Sequence, residues 1–136
     1  MNKTLMTILA AAGLVVAAVF PVSAHHSFSA EFDSNKPVTL EGKIVRMEWT
    51  NPHSWLFIDI EKDGKVERWA VEGGSPGVLL RKGFKRDSFP EGTKIVVHGF
   101  GAKDGAFRAN SRSIEFPDGR KLDTGSSYTP GKEPAK

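Results

Sequence analysis

Alternation between hydrophobic and polar residues is the main pattern along this chain after residue 37. Such alternation is typical of strands with one buried face. It predicts five strands, at residues 38–49, 54–61, 66–71, 93–100 and 107–116. In the second of these strands Leu56, Ile58 and Ile60 share one face, and Trp55 and Phe57 lie on the other. We expect the aliphatic face to point into the core.

The first predicted strand has an irregularity in its hydrophobic pattern. The apolar positions are even-numbered up to Ile44, and they become odd-numbered from Val45 onwards. A bulge, or a strand that bends to serve two faces, produces such a change. The switch therefore predicts either a bulge or a bend between Ile44 and Val45.

Turn and capping residues arrange the predicted strands into a fold. Asp63-Gly64 predicts a tight hairpin. Ser75 as N-cap and Pro76 in the first turn predict a short helix that ends near Gly83. The resulting order is three strands, a helix and two strands. We predict an all-β protein with one short helix, a five-stranded OB-like Greek-key barrel, because closure protects strand edges. A small β-sandwich or an open meander is the alternative.

The amino-terminal residues have the pattern of an export signal. Lys3 precedes a largely apolar run over residues 5–20, and Val22-Ser23-Ala24 follows it. Small residues at these positions predict a signal peptide over residues 1–24, cleaved after Ala24. The run is shorter than the roughly 20 residues that span a bilayer. We therefore expect a periplasmic or secreted protein with no stable membrane anchor after processing.

The remaining chain divides into three predicted parts. Residues 25–37 are a leader, residues 38–122 form the β-barrel domain, and residues 123–136 are polar and rich in Gly, Ser and Pro. Such a composition predicts a disordered tail.

Composition excludes several classes of protein. The chain has 136 residues, a net charge of +3 and no cysteine. Disulfide scaffolds, thiolate metal sites and cysteine nucleophiles are therefore excluded. Basic residues cluster at Arg81, Lys82, Lys85 and Arg86, but acidic residues are interspersed, so a nucleic-acid partner is disfavoured. No nucleophile-elbow, zincin or phosphate-loop motif is present, which favours a non-catalytic protein.

A set of short motifs resembles a known family. The motifs are His25-His26-Ser27-Phe28, Phe32-Asp33, Asn51-Pro52-His53, Gly83-Phe84-Lys85-Arg86-Asp87 and Pro117-Asp118-Gly119-Arg120. They resemble a group of small exported bacterial proteins that carry a domain of unknown function. The resemblance implies an exported domain and brings no catalytic residue with it.

The predicted mature amino terminus is a candidate metal site. Cleavage after Ala24 gives His25 a free α-amine beside its imidazole, and His26 adds another nitrogen. Cu(II) prefers nitrogen donors and heads the divalent affinity order. A further histidine, His53 or His98, would complete the set, so copper is the candidate cofactor. The alternative interpretation is that His25 and His26 are solvated and that any affinity for Cu(II) is incidental.

Two further features are candidate ligand contacts. The Asn51-Pro52-His53 corner lies between strands, where functional loops are common, although a simple turn also explains it. Trp55 and Phe57 point outward, so they are either a binding platform or a patch covered by Phe28 and Phe32 of the leader. We therefore predict an exported binding module for an unknown protein or small ligand, with a copper-binding protein as the alternative.

Overall fold

The computed structural model of the protein describes residues 28–128. The predicted signal peptide, His25 and His26 lie outside the described residues, as does the chain beyond Tyr128. Within residues 28–128 the fold is a mostly antiparallel six-stranded sheet with two short helices, none long and apolar enough to cross a membrane. The elements are α1 (Phe28–Glu31), β1 (Phe32–Glu48), β2 (Trp55–Lys62), β3 (Lys65–Glu72), α2 (Pro76–Arg81), β4 (Lys94–Ala102), β5 (Arg108–Glu115) and β6 (Lys121–Asp123).

Strand pairing gives each of the first five strands a neighbour on both edges. The strands follow the order β3-β2-β1-β4-β5-β6, and β3 pairs in addition with β5. That last pairing is parallel and joins Ala70, Val71 and Glu72 of β3 to the start of β5. β6 pairs farther along β5, at Ser113 to Glu115. At least part of both edges of each of these strands is therefore covered by a neighbour.

The bulge predicted in β1 is confirmed, but the predicted start of this strand is wrong. Against β2, the register shifts between Ile44 and Arg46, so Val45 is the extra residue. β1 begins at Phe32 rather than at residue 38, and Phe32 pairs with Ala102 of β4. Residues 33–37 lack hydrophobic alternation, and a register shift against β4 separates the pairing of Phe32 from that of Pro37. Part of the predicted leader is therefore strand.

The core contains the face of β2 that the alternation predicts. Leu56 and Ile58 are buried, and Leu79 of α2 packs into the same cluster. The predicted helix cap is also confirmed, because the Ser75 hydroxyl accepts a hydrogen bond from the Val78 amide at 3.4 Å. Gly83 then has a φ of 97°, which ends the helix in a left-handed conformation.

The described part of the predicted disordered tail packs against the sheet. Asp123 belongs to β6, and Thr124 is buried. The Thr124 hydroxyl donates to the carbonyl of Ser111 at 2.6 Å, and its own carbonyl accepts from the Gly74 amide at 3.0 Å. The prediction of disorder is therefore wrong for residues 123–128, because polar composition does not reveal side chains that satisfy buried backbone groups.

Candidate functional site

Glu72 is the only carboxylate that is buried among residues 28–128. It is the last residue of β3 and lies between Trp55 of β2 and Asn110 of β5. Its Oε1 atom accepts hydrogen bonds from Nδ2 of Asn110 at 3.1 Å and from the Ser127 hydroxyl at 3.2 Å. Burying a carboxylate is unfavourable unless its charge is compensated. This position therefore needs an explanation beyond packing.

His53 lies beside this carboxylate. Its Nδ1 atom is 3.4 Å from Oε1 of Glu72, within ion-pair distance but without hydrogen-bond geometry. The preceding Asn51-Pro52 peptide bond is cis, and the Thr50 hydroxyl donates to the carbonyl of His53 at 2.7 Å. This local turn places His53 two residues before the start of β2. We refer to His53, Glu72, Asn110 and Ser127 as the Glu72 cluster.

Several buried polar atoms at this end of the sheet have no hydrogen-bond partner within the described chain. They are Nδ1 of His53, Oδ1 of Asn110 and the hydroxyl of Ser54. Buried polar atoms are normally paired, so unpaired ones call for an explanation such as a bound ion. His53 and Asn110 both contact the Glu72 carboxylate, so their unpaired atoms lie in an environment that suits a cationic or hydrogen-bond-donating ligand.

The electrostatics of Glu72 also favour a positively charged ligand. Burial raises the pKa of its carboxyl group, and the nearby Glu31 carboxylate raises it further. His53 and the hydrogen bonds from Ser127 and Asn110 act in the opposite direction. A proton or another positive charge at this point would therefore stabilise the cluster.

An aromatic cluster lies next to these polar residues. The Phe28 ring is 5.5 Å from Phe100 and 5.1 Å from Tyr128, measured between ring centroids. Phe100 pairs with Asn110 across β4 and β5, and Tyr128 follows Ser127 directly. Two separate contacts of the Phe28 ring therefore lead to residues of the Glu72 cluster. The start of the described chain is fixed close to this cluster.

Cover by the leader, one of the two alternatives for Trp55 and Phe57, is not what the structure shows at Phe57. Phe28 packs on Phe32, Phe100 and Tyr128, and Phe32 itself is 1% exposed. The Phe57 ring is covered by the guanidinium of Arg46, which lies 3.8 Å from its centroid. Arg46 is paired with Phe57 because of the bulge at Val45. Phe28 instead packs between Phe100, near the end of β4, and Tyr128.

The remaining candidates lie apart from the Glu72 cluster or fall outside the structure. Nε2 of His98 lies 3.0 Å from Glu115, and Asn51 is exposed. His25 and His26 fall outside the described residues. Within residues 28–128, no group of three or more His, Cys, Asp or Glu side chains could hold a metal ion. Within the described residues, His53 and His98 each meet a carboxylate, but the partner of His53, Glu72, is buried, whereas the partner of His98, Glu115, is partly exposed.

The hydrophobic pattern of the sequence does not single out Glu72, Asn110 or Ser127. Alternation along β3 assigns Glu72 to the polar face, together with Arg68. In the structure, the parallel pairing of β3 with β5 places Asn110 beside Glu72. A glutamate directly before Gly73-Gly74 was the one available signal, and it is a weak one.

A comparison with known protein families assigns the chain to one of them. Residues 11–111 match a family of unknown function, DUF6152. The chain belongs to this family. The DUF6152 match includes His53, Glu72 and Asn110, whereas Ser127 and Tyr128 lie beyond its end. No curated protein matches the chain. Membership in this family therefore identifies the domain but assigns no activity to it.

Proposed function

We propose that this DUF6152 protein is an exported, non-catalytic binding module, and that it binds copper at the Glu72 cluster through its processed amino terminus. The observation that carries the proposal is the buried approach of Nδ1 of His53 to Glu72 at 3.4 Å. Imidazole nitrogen and carboxylate oxygen are both transition-metal ligands.

The scaffold of the proposed module is an OB-like Greek-key barrel. Support comes from the circular order of pairing, in which β1 pairs with β2 and β4, and β3 pairs with both β2 and β5. The position of α2 between β3 and β4 also fits this fold. In such a barrel the Glu72 cluster lies at one end of the strands, where β3 and β5 meet.

Export supplies the proposed metal ligands. Cleavage after Ala24 in the periplasm or during secretion would leave His25 with an α-amine and an imidazole. Phe28 follows three residues later and packs beside the Glu72 cluster. Three extended residues span at most about 10 Å. Copper ligation by His25 and His26 together with His53 requires this short segment to bridge the distance from Phe28 to His53.

The choice of copper rests on the donor set. An α-amine and the imidazoles of His25, His26 and His53 are nitrogen donors, and the chain has no cysteine. Cu(II) binds such donors more tightly than the other common divalent ions do. The Glu72 carboxylate would add negative charge beside the ion.

The decisive experiment is a Cu(II) titration of mature protein that begins at His25. We expect an affinity well above that of a His-His-Ser peptide, and an electron spin resonance spectrum with several nitrogen ligands. His53→Ala should weaken binding by about 10–100-fold. His98→Ala is the matched control and should not change the affinity, because His98 contacts Thr39 and Glu115 instead. Affinity equal to that of the peptide would reject copper as the ligand.

The same titration tests the other binding face. Paramagnetic Cu(II) broadens the amide signals close to it, and we expect broadening at His53, Glu72 and Asn110. The alternative ligand site is the face formed by Asn51, Trp55 and Phe57, which would take a protein or small organic ligand. Broadening centred on Phe57 would locate the copper there and contradict the proposed site.

A further inference from the structure

A recess outside the Glu72 cluster lies between the end of α2, β5 and the residues after β6. Its volume is about 250 Å³, and its lining consists of Lys82, Arg112, Asp123, Gly125, Ser126 and Tyr128. None of these residues belongs to the Glu72 cluster. Pockets for drug-sized molecules usually measure about 300–1,000 Å³. An occupant of this recess would therefore be a small molecule or ion.

Arg112 is held at this recess by aromatic rings and not by a carboxylate. Its guanidinium carbon lies 5.9 Å from the centroid of the Phe100 ring and 5.5 Å from that of Tyr128. Among residues 28–128, no Asp or Glu side chain forms an ion pair with it. A guanidinium that packs on aromatic rings keeps its planar set of N–H donors available. Arg112 can therefore offer two parallel hydrogen bonds to an oxyanion.

Close packing of the residues after β6 on α2 brings a second cation to the recess. A Cβ atom at Gly125 would overlap Cγ1 of Val78 and would lie 3.6 Å from Cε of Lys82. Nζ of Lys82 is 3.5 Å from Oδ1 of Asp123, which also accepts a hydrogen bond from the Gly125 amide at 2.6 Å. Asp123 is the one acidic residue among those that line the recess. The lining therefore carries two positive charges against one negative charge.

Ser126 and Tyr128 add hydroxyl groups to this lining. Neither hydroxyl has a hydrogen-bond partner within the part of the chain that the structure describes. With Arg112 and Lys82, the donors come from three parts of the fold, which are β5, the end of α2 and the residues after β6. A carboxylate has two oxygen atoms in one plane, whereas a phosphate group offers at least three acceptor oxygens in a tetrahedral arrangement. Donors on several sides therefore favour a phosphate group.

We propose that this recess binds the phosphate group of a small anion. Arg112 supplies the bidentate contact, and Lys82, Ser126 and Tyr128 supply further donors. The Asp123 carboxylate limits the affinity, because it repels the anion and pairs with Lys82. The inference goes beyond the proposed copper binding, and it depends on neither export, cleavage nor a metal.

The test is a titration of purified protein with inorganic phosphate, without added metal and at constant ionic strength. The amide NMR signals of Gly125 and Ser126 report on the recess. We expect saturable shifts of these signals that potassium chloride does not produce. Acetate should bind more weakly than phosphate, because it offers fewer acceptor oxygens.

Arg112→Gln should weaken phosphate binding by at least about ten-fold, because hydrogen bonds from a charged donor are lost. Arg120→Gln is the matched control. The Arg120 guanidinium also lies over an aromatic ring, 5.1 Å from the centroid of Phe116, but it is paired with Asp118 at 2.6 Å. Its replacement should leave the affinity for phosphate unchanged.

Asp123→Asn keeps the experiment decisive if Arg112→Gln fails to fold. Asparagine retains a side-chain oxygen that can accept from the Gly125 amide, and it removes the negative charge from the lining. Phosphate should then bind about three-fold more tightly or better, because a like charge near the ligand is gone. A misfolded protein would not show this gain.

Four results would each overturn the proposal. The first is equal affinity for phosphate in the wild type and in Arg112→Gln, and the second is unchanged or weaker binding in Asp123→Asn. The third is acetate or chloride acting as strongly as phosphate. The fourth is loss of phosphate binding in His53→Ala, which would place the anion at the Glu72 cluster instead.

Discussion

At the scale of single residues, Gly99 shows how closely the strands approach beside the candidate site. It lies where the register of β4 shifts against β5. A Cβ atom at this position would overlap the carbonyl oxygen of Asn110, whose side chain donates to Glu72. The backbone of Asn110 cannot move away without disturbing both the pairing and this hydrogen bond. The absence of a side chain at Gly99 is therefore a condition for the Glu72 cluster.

Gly99→Ala should destabilise the protein by about 1–3 kcal/mol, because the added methyl group overpacks a backbone contact. Chemical denaturation of purified protein measures this change. Gly77→Ala is the control, since Gly77 is exposed in α2 and a Cβ atom there meets nothing closer than 3.4 Å. It should stabilise the protein by about 0.5–1 kcal/mol. Similar losses in both variants would contradict the steric explanation.

At the scale of elements, the hairpin of β2 and β3 carries a cross-strand ion pair on its outer face. The Arg68 guanidinium donates to both oxygens of Asp59, at 2.8 and 2.9 Å. This hydrogen bonding lowers the pKa of Asp59 below its usual value of 3.8, although slight burial opposes the shift. Arg68 and Asp59 face each other across the pairing of the two strands. The pair therefore supports the register of β2 against β3 in which Glu72 lies opposite Trp55.

The lowered pKa of Asp59 predicts how this hairpin responds to pH. A carboxyl group with a lowered folded-state pKa contributes stability above its unfolded value of 3.8, and this stability is lost as the pH falls through the folded value. Asp59→Asn should therefore have a slightly lower Tm than the wild type at neutral pH. The difference should disappear in strong acid. Melting curves across the acidic range measure it.

Arg68→Lys separates geometry from charge in this pair. Lysine keeps the positive charge but cannot form two parallel hydrogen bonds to one carboxylate. We expect a smaller loss of Tm than in Asp59→Asn, with the same disappearance in acid. A loss in Asp59→Asn that stays constant from neutral pH to strong acid would show that packing, rather than the ion pair, is responsible.

At the scale of the whole molecule, the two ends of the described chain meet beside the Glu72 cluster. Phe28 from the start of the chain and Tyr128 from its end lie 5.1 Å apart, and both contact Phe100. Arg112 lies over the rings of Phe100 and Tyr128. These contacts join α1, β4 and the residues after β6 into one surface at the candidate site.

Phe28→Ala should weaken both this surface and the proposed copper site. We expect a stability loss below the roughly 3–5 kcal/mol of a fully buried phenylalanine, because Phe28 is only half-buried. The proposed copper site also predicts a fall in copper affinity, since Phe28 is the described residue three positions after His25 in the chain. Calorimetry of unfolding and of Cu(II) binding measures both effects.

Phe107→Ala is the control for this change. Phe107 is 48% exposed and its ring contacts Trp69, away from Phe28. Its removal should leave copper affinity unchanged. Unaltered copper binding in Phe28→Ala would show that the aromatic contacts do not position the amino terminus.

The sequence by itself determined the local features of this protein. Alternation identified the buried face of β2, the parity change located the bulge at Val45, and Ser75 with Gly83 marked α2. Each of these depends on residues that are close neighbours in the chain, so short-range sterics and hydrogen bonding suffice to predict them.

Only the tertiary structure decided the position of the candidate site. Glu72 and Asn110 are 38 residues apart, and Ser127 is 55 residues from Glu72. Their meeting depends on the parallel pairing of β3 with β5 and on the return of the chain after β6. The same is true of the extension of β1 back to Phe32, which needs β4 as its partner. Periodicity reports which face of a strand is apolar, but it does not report which distant strand covers the other face. This is why alternation alone assigns the buried carboxylate at the end of β3 to the polar face of that strand.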